Sequence, residues 1–225
     1  MTFAELRDAV WGANRRLPAL GLSVMHSGNV SGVDREAGIV MIKPSGVDYD
    51  TLRPEDLAVV DLDGGRVGPG DVPDGIASPL RPSVDTPHHL GLYRGDPSIG
   101  GIVHTHSNFA TAWATVGRPI PCALTAMADE FGGDVPCAPY VDNEGDHIGR
   151  AILEARTRAP AVLLANHGVF AFDSTPSAAV KAAAMVEDAA KTLLLSMRLG
   201  EPAAMPSAEI EKWWTRYHES YGQPT

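Results

Sequence analysis

The run Gly101-Ile102-Val103-His104-Thr105-His106, followed by Ser107, decides how the rest of the chain is read. Its β-branched character predicts a short strand, and Ser107 is placed to cap a helix that stops at Gly117. Residues two apart in a strand share a face, so the imidazoles of His104 and His106 can reach one metal ion. An HxH pair alone is a weak signal, because a lone histidine among apolar residues is more often a satisfied core residue. A third imidazole, His167, lies in Leu163-Leu164-Ala165-Asn166-His167-Gly168, within an apolar run read as one strand from Ala161 to Phe172. The adjacent Gly168 lets other groups come close. Asp85 closes a Gly/Pro-rich stretch just before a helix start, a natural place for an aimed carboxylate. Three imidazoles and a carboxylate together suit zinc, or manganese and cobalt with less selectivity.

The flanking pattern alternates helix and strand. Thr2-Phe3-Ala4-Glu5 reads as a capping box, and Leu6, Val10, Ala13 and Leu17 follow at helical spacing until Pro18 ends the run. Strands are expected at Gly38 to Ile42 and Ala58 to Leu62, the second closed by the turn Asp63-Gly64-Gly65. From Gly64 to Pro87 there are five glycines and five prolines, which predicts an extended loop with a functional burden. Thr86-Pro87 looks like N-cap and N1 of a helix to about Tyr93. Thr175-Pro176 opens the longest helix, closing at Gly200, with Lys191 and Arg198 near its negative end. Ser207 starts a last helix to about Ser220. With no linker or repeat to cut at, residues 1–225 read as a single α/β domain.

Composition removes whole classes of function. The 225 residues are 44% hydrophobic and 20% charged, enough for a full core and against wholesale disorder. The 23 glycines and 18 prolines have no period, which fits a turn-rich mixed fold. A net charge of −10 repels phosphate backbones, so no nucleic-acid partner is expected. No apolar stretch reaches the ~18 residues of a membrane span, and the first residues lack the basic start and apolar run of a signal peptide. The expectation is a cytoplasmic protein without a membrane partner, its two cysteines, Cys122 and Cys137, buried thiols rather than a disulfide framework.

A second constellation comprises Ser27-Gly28-Asn29, Lys43-Pro44-Ser45-Gly46 and Pro82-Ser83. Small hydroxylated residues beside glycine expose backbone N–H groups, and a lysine adds one positive charge, which is how an acidic protein can hold a phosphate. Each piece is also an ordinary turn. GxGxxG, GxxxxGK[ST] and HExxH are absent, so dinucleotide, P-loop and common zinc-protease readings have no support.

Taken together these blocks resemble the class II aldolase/epimerase superfamily and, within it, the L-ribulose-5-phosphate 4-epimerases. The likeness is densest in Gly28-Asn29-Val30-Ser31, in Ile42-Lys43-Pro44-Ser45-Gly46-Val47-Asp48-Tyr49 and in Ser98 to Ser107. It continues through Asp85-Thr86-Pro87-His88, Ala128-Asp129, Asn166-His167-Gly168 and the ending Tyr221-Gly222-Gln223. The resemblance implies a three-layer α/β/α fold with a mainly antiparallel central sheet, assembled as a C4 homotetramer with active sites at subunit interfaces. It implies a metal held by His104, His106 and His167, with Asp85 as a labile fourth ligand. Substrate phosphate would meet Gly28, Asn29, Ser45, Gly46, Ser83 and the Val84 backbone, with Lys43 nearby. Asp129 and Tyr221 match the family's acid/base pair, contributed by a neighbouring subunit.

The activity so implied is the interconversion of L-ribulose 5-phosphate and D-xylulose 5-phosphate in pentose and arabinose catabolism, by C3–C4 retro-aldol cleavage and re-addition. A divalent metal would act as Lewis acid towards the ketose phosphate. The alternative is a class II aldolase like those for L-fuculose phosphate, which would release dihydroxyacetone phosphate and an aldehyde. Asp at position 85, where those aldolases carry Glu, favours the epimerase. The stretch Cys122 to Tyr140 reads more like the aldolase branch. A non-catalytic module like the adducin head is opposed by the retained histidine triad. Three departures stand out: Val84 replaces a second serine, Trp213 stands where the family often has a histidine, and the Gly/Pro loop before Asp85 is longer than usual.

Overall fold

The computed structural model describes residues 1–221, so the Gly222-Gln223 part of the expected ending lies outside the described residues. Helix α1 (Phe3–Ala19) begins as its sequence dictates. The Thr2 hydroxyl accepts from the Glu5 amide, and the Glu5 carboxylate accepts from the Thr2 amide at 2.7 Å. Leu6, Val10, Ala13 and Leu17 form its buried stripe. Pro18 does not end the helix but sits in its last turn, where it costs one i→i−4 hydrogen bond, the one to the Asn14 carbonyl.

Seven strands form one sheet: β1 (Asn29–Asp34), β2 (Ile39–Ile42), β3 (Ala58–Asp61), β4 (Gly101–Thr105), β5 (Cys137–Ala138), β6 (Ala161–Leu164) and β7 (Gly168–Asp173). Their spatial order is β3-β2-β1-β4-β7-β6-β5. β5 and β6 run parallel while the other neighbours run antiparallel, so the sheet is mixed rather than simply the mainly antiparallel one expected. The reason lies in the connection: a helix, α5 (His147–Ala155), intervenes between β5 and β6, and a helical crossover returns the chain in the same direction.

Alternation along the strands divides the core into two faces. Val103, Leu163, Val169 and Ala171 pack against α6 (Pro176–Ser196), with α1 and α3 (Asn108–Thr115) on the same side. Ile102, Phe170 and Phe172 face α2 (Thr86–Gly95) and α5 instead. The result is helices on both sides of a sheet, the α/β/α layering expected. Phe3, Leu6 and Val10 of α1 extend the first face over Ile39, Met41 and Val59. The last helices are α4 (Thr125–Phe131) and α7 (Ser207–Ser220). No helix among the described residues is long and apolar enough to cross a membrane.

Several local expectations are corrected. The run 161–172 is not one strand but the β6–β7 hairpin, with Leu164 opposite Gly168 and Ala165, Asn166 and His167 in the turn. Asn166 takes φ +60°, a left-handed conformation that asparagine tolerates. His167 is therefore a turn residue. At α2 the N-cap is Asp85, one residue before the expected Thr86, whose hydroxyl instead donates to the Ser83 carbonyl at 2.6 Å. Ser107 stands at the N-cap of α3, which ends at Thr115, but its side chain makes no capping bond. That function falls to Glu187 of α6, whose carboxylate accepts from the amides of Phe109 (2.9 Å) and Ala110 (2.8 Å). α6 itself stops at Ser196, short of Gly200. Neither cysteine is in a disulfide; Cys122 is buried and Cys137 half-buried.

Candidate metal centre and substrate pocket

Three elements bring three imidazoles together. His104 sits at the end of β4, opposite Phe170 of β7, and its ring stacks on that phenyl at 4.2 Å between centroids. His106 follows β4, and His167 projects from the neighbouring β6–β7 turn. One ligand atom from each histidine falls within 4.8 Å of the other two. Gly168 makes this possible: a Cβ there would lie 2.5 Å from the Thr105 carbonyl oxygen and 2.7 Å from Cδ2 of His106. The close approach expected of this glycine is thus an approach of the metal-facing segment itself.

The histidine chemistry fits a divalent cation. His104 Nδ1 lies 3.1 Å from the Val169 carbonyl, an oxygen that can only accept. Nδ1 therefore carries the proton, and the lone pair on Nε2 is left for a metal. Burial pushes this imidazole down to about 3, and His106 and His167 push the same way against Asp85. His167 is also lowered, by burial first and by His106 next. Both rings are neutral at pH 7, the protonation state that a metal ligand needs.

Asp85 lines the same pocket but lies outside the tight histidine cluster. Its Oδ2 accepts from Asn29 Nδ2 at 2.7 Å and from the Ser83 hydroxyl at 3.2 Å. Burial works to raise the Asp85 pKa, but His104, His89 and these two hydrogen bonds outweigh it and hold the group below the usual value. The carboxylate is thus aimed and ionised.

The remaining expected residues, Gly28, Asn29, Lys43, Ser45, Gly46, Ser83 and Val84, line a cavity of about 260 Å³ that opens beside the triad. Gly28 turns the chain at φ +76°, and a Cβ there would meet the His104 carbonyl oxygen at 2.8 Å. The Tyr49 hydroxyl holds this turn, its one proton shared between the carbonyls of Ser27 (2.9 Å) and Gly28 (2.8 Å). Lys43 is almost fully buried, with its ammonium 4.8 Å above the Tyr49 ring. Burial pushes its pKa down to about 8, with Asp48 opposing. At pH 7 it remains largely charged and supplies a desolvated cation. Val84 is 78% exposed, so its isopropyl group is free at the pocket rim.

The acid/base candidates are elsewhere. Asp129 lies on α4, and Tyr221 directly follows α7, 61% exposed; neither lines the triad's cavity. Trp213, also on α7, donates its indole N–H to Glu209 at 3.1 Å. Two further lining residues, His26 and Asn143, have no signal in the sequence pattern: Asn143 comes from the irregular segment between β5 and α5.

With this geometry in hand, comparison with known proteins is informative. The family model for the class II aldolase and adducin N-terminal domain matches residues 8–194. An L-ribulose-5-phosphate 4-epimerase UlaF from Salmonella paratyphi C is 39% identical over 97% of this chain and 99% of its own length, and that of Salmonella choleraesuis matches equally. Among solved structures, an L-fuculose 1-phosphate aldolase superposes with a TM-score of 0.84 at 27% identity, covering 97% of this chain and 98% of its own. YgbL of Klebsiella pneumoniae, a putative aldolase/epimerase/decarboxylase, gives 0.81 at 25% identity over 95% and 99%.

Proposed function

Because the chain belongs to the class II aldolase and adducin N-terminal domain family, we propose that it is an L-ribulose-5-phosphate 4-epimerase. The observation that carries this reading is the histidine triad opening onto a pocket lined by one buried lysine and by the turns at Gly28, Ser45-Gly46 and Ser83, the two halves a phosphorylated ketose needs. His104, His106 and His167 hold the metal, with Asp85 as an exchangeable fourth ligand. Zinc suits three imidazoles and a carboxylate, with manganese and cobalt as alternatives. The bound metal supplies Lewis acidity toward the substrate oxygens.

The chain's own groups do the rest. The side chains of Asn29, Ser45 and Ser83 and the backbone at Gly28, Gly46 and Val84 hold the phosphate, and Lys43 balances its charge. Fixing the phosphate fixes C3 and C4 relative to the triad. Asp129 and Tyr221 exchange protons with the C4 oxygen. One takes the hydroxyl proton as C3–C4 breaks, and the other returns a proton after the aldehyde is attacked on its opposite face. Groups of this kind are worth roughly 10²–10⁴-fold. Since neither residue lines the cavity of its own chain, the reading places them in a neighbour's site, in a C4 homotetramer of 1–225 single-domain subunits in the cytoplasm.

The test is to incubate zinc-loaded protein with L-ribulose 5-phosphate and follow D-xylulose 5-phosphate alongside the C3–C4 cleavage products, dihydroxyacetone and glycolaldehyde phosphate, by coupled assays. Xylulose phosphate as main product supports the reading. Dihydroxyacetone and glycolaldehyde phosphate without xylulose phosphate move the protein to the aldolase reading, which the 0.84 superposition on a fuculose-phosphate aldolase keeps as second choice. Neither product sinks both. A His104→Ala variant should lose metal and turnover together.

A further inference from the structure

Helix α7 is fastened to α4 by two cations that touch adjacent residues. Lys181, from α6, places its ammonium 2.8 Å from Glu130 and 2.8 Å from the Tyr217 hydroxyl. Arg216, from α7 itself, reaches Asp129 on one side and Tyr221 on the other. Its Nη2 lies 3.8 Å from Asp129 Oδ1, and its guanidinium sits 5.1 Å above the Tyr221 ring. The ring of Trp213 lies 4.9 Å from the same guanidinium and fixes its plane. Asp129 Oδ1 is buried and has no hydrogen-bond partner among the described residues, so Arg216 is the cation that faces it.

We propose that Arg216 is a positioning residue that joins Asp129 and Tyr221 into one acid/base unit delivered by a single subunit. The proposal rests on the roles assigned to those two residues above. A planar guanidinium can stack on an aromatic face and meet a carboxylate at once, which an ammonium cannot do equally well. Docking of α7 does not require it. The Lys181 clasp, the Arg158–Glu211 pair at 2.8 Å, and Trp214 packed against Gly132 already hold that helix. What Arg216 adds is a fixed relation between a carboxylate on one helix and a phenol just beyond the end of another. Trp213 takes part as the platform beneath the guanidinium.

The experiment compares wild-type protein with Arg216→Ala, Arg216→Lys, Lys181→Met, Asp129→Asn and Tyr221→Phe. Each is assayed for kcat and KM on L-ribulose 5-phosphate, metal content and melting temperature. In parallel, ¹³Cζ-tyrosine spectra identify the Tyr221 signal by its loss in Tyr221→Phe and need no substrate. The expected result is that Arg216→Ala loses about 100-fold in kcat, as misplaced reacting groups do, with full metal content. KM stays within about threefold, because phosphate and metal binding are untouched. Arg216→Lys regains part of the loss, and the Tyr221 signal moves in Arg216→Ala. Lys181→Met lowers the melting temperature and leaves kcat within about threefold.

The proposal is overturned if Arg216→Ala retains wild-type kcat while Asp129→Asn and Tyr221→Phe are impaired. It is equally overturned if Lys181→Met loses as much kcat as Arg216→Ala, since Arg216 would then act only by docking α7. If Asp129→Asn and Tyr221→Phe are both fully active, or the wild type is inactive, the acid/base reading itself fails. The tyrosine spectrum alone then decides the contact: an unmoved Tyr221 signal in Arg216→Ala refutes it.

Discussion

Replacing Glu187 with alanine tests how the triad is supported from behind. Its carboxylate accepts from two amides in the first turn of α3, which starts two residues after His106. Each hydrogen bond to a charged group is worth ~1.5 kcal/mol net, and the negative charge at a helix N-terminus adds ~0.5. The sum is about 3.5 kcal/mol, and solvent reaching the half-buried site returns about 1 of it. Glu187→Ala should therefore cost about 2.5 kcal/mol, or about 5–10 °C in melting temperature for a chain this size. Glu187→Gln keeps one acceptor and no charge, and should lose about half as much. Urea unfolding at fixed protein concentration measures the difference, because any assembly would otherwise shift the midpoint. Metal titration should show weaker binding in the alanine variant, since the loop carrying His106 loses its anchor. A cost under about 0.5 kcal/mol for Glu187→Ala, the range of an ordinary surface change, would refute the capping argument.

Gly168→Ala should strip metal before it unfolds the protein, because its Cβ meets backbone at Thr105 and the ring of His106; stoichiometric zinc in that variant would contradict the packing described. The stability of the metal-free protein should also fall as pH is lowered from about 6.5 towards 4. Burial pushes His89 down to about 4, with Asp85 opposing, so in that window the unfolded chain binds a proton that the folded chain refuses. The full term is about 3 kcal/mol and vanishes above pH 7.5 or so. Urea midpoints that stay flat between pH 7.5 and 4.5 would count against it. Finally, Val84→Ser should lower KM for a phosphorylated substrate by adding a hydroxyl at the pocket rim, where the side chain is exposed; an unchanged KM would mean that only the backbone at 84 serves the phosphate.

What the sequence announces and what it conceals follow a physical pattern. The capping box at Thr2 and the Thr175 cap of α6 are local: donor, acceptor and helix lie within three residues of one another. The histidine cluster is legible for a related reason, since HxH spacing and Asn-His-Gly are short signals. β1 was not expected, because Gly32 interrupts its pattern where Leu6, Val10 and Pro176 press against the backbone. The β6–β7 hairpin looked like one strand because Leu163, Leu164, Val169 and Phe170 are apolar on both faces and hide the reversal. α4 and α5 start without a side-chain cap, so nothing local marks them. Glu187 stands 78 positions from Phe109, and no pattern in one sequence connects such a pair.

The pairing of His104 with Phe170 across β4 and β7 has a meaning beyond geometry. Side chains alternate faces, so a slip of one residue in this ladder would turn His104 to the α6 side while His167 stays in its turn. A chain with β4 and β7 misaligned would no longer bring the three imidazoles together and would lose the site that an ion could occupy. An ion that binds only the correctly registered chain would then favour that register over any other by mass action.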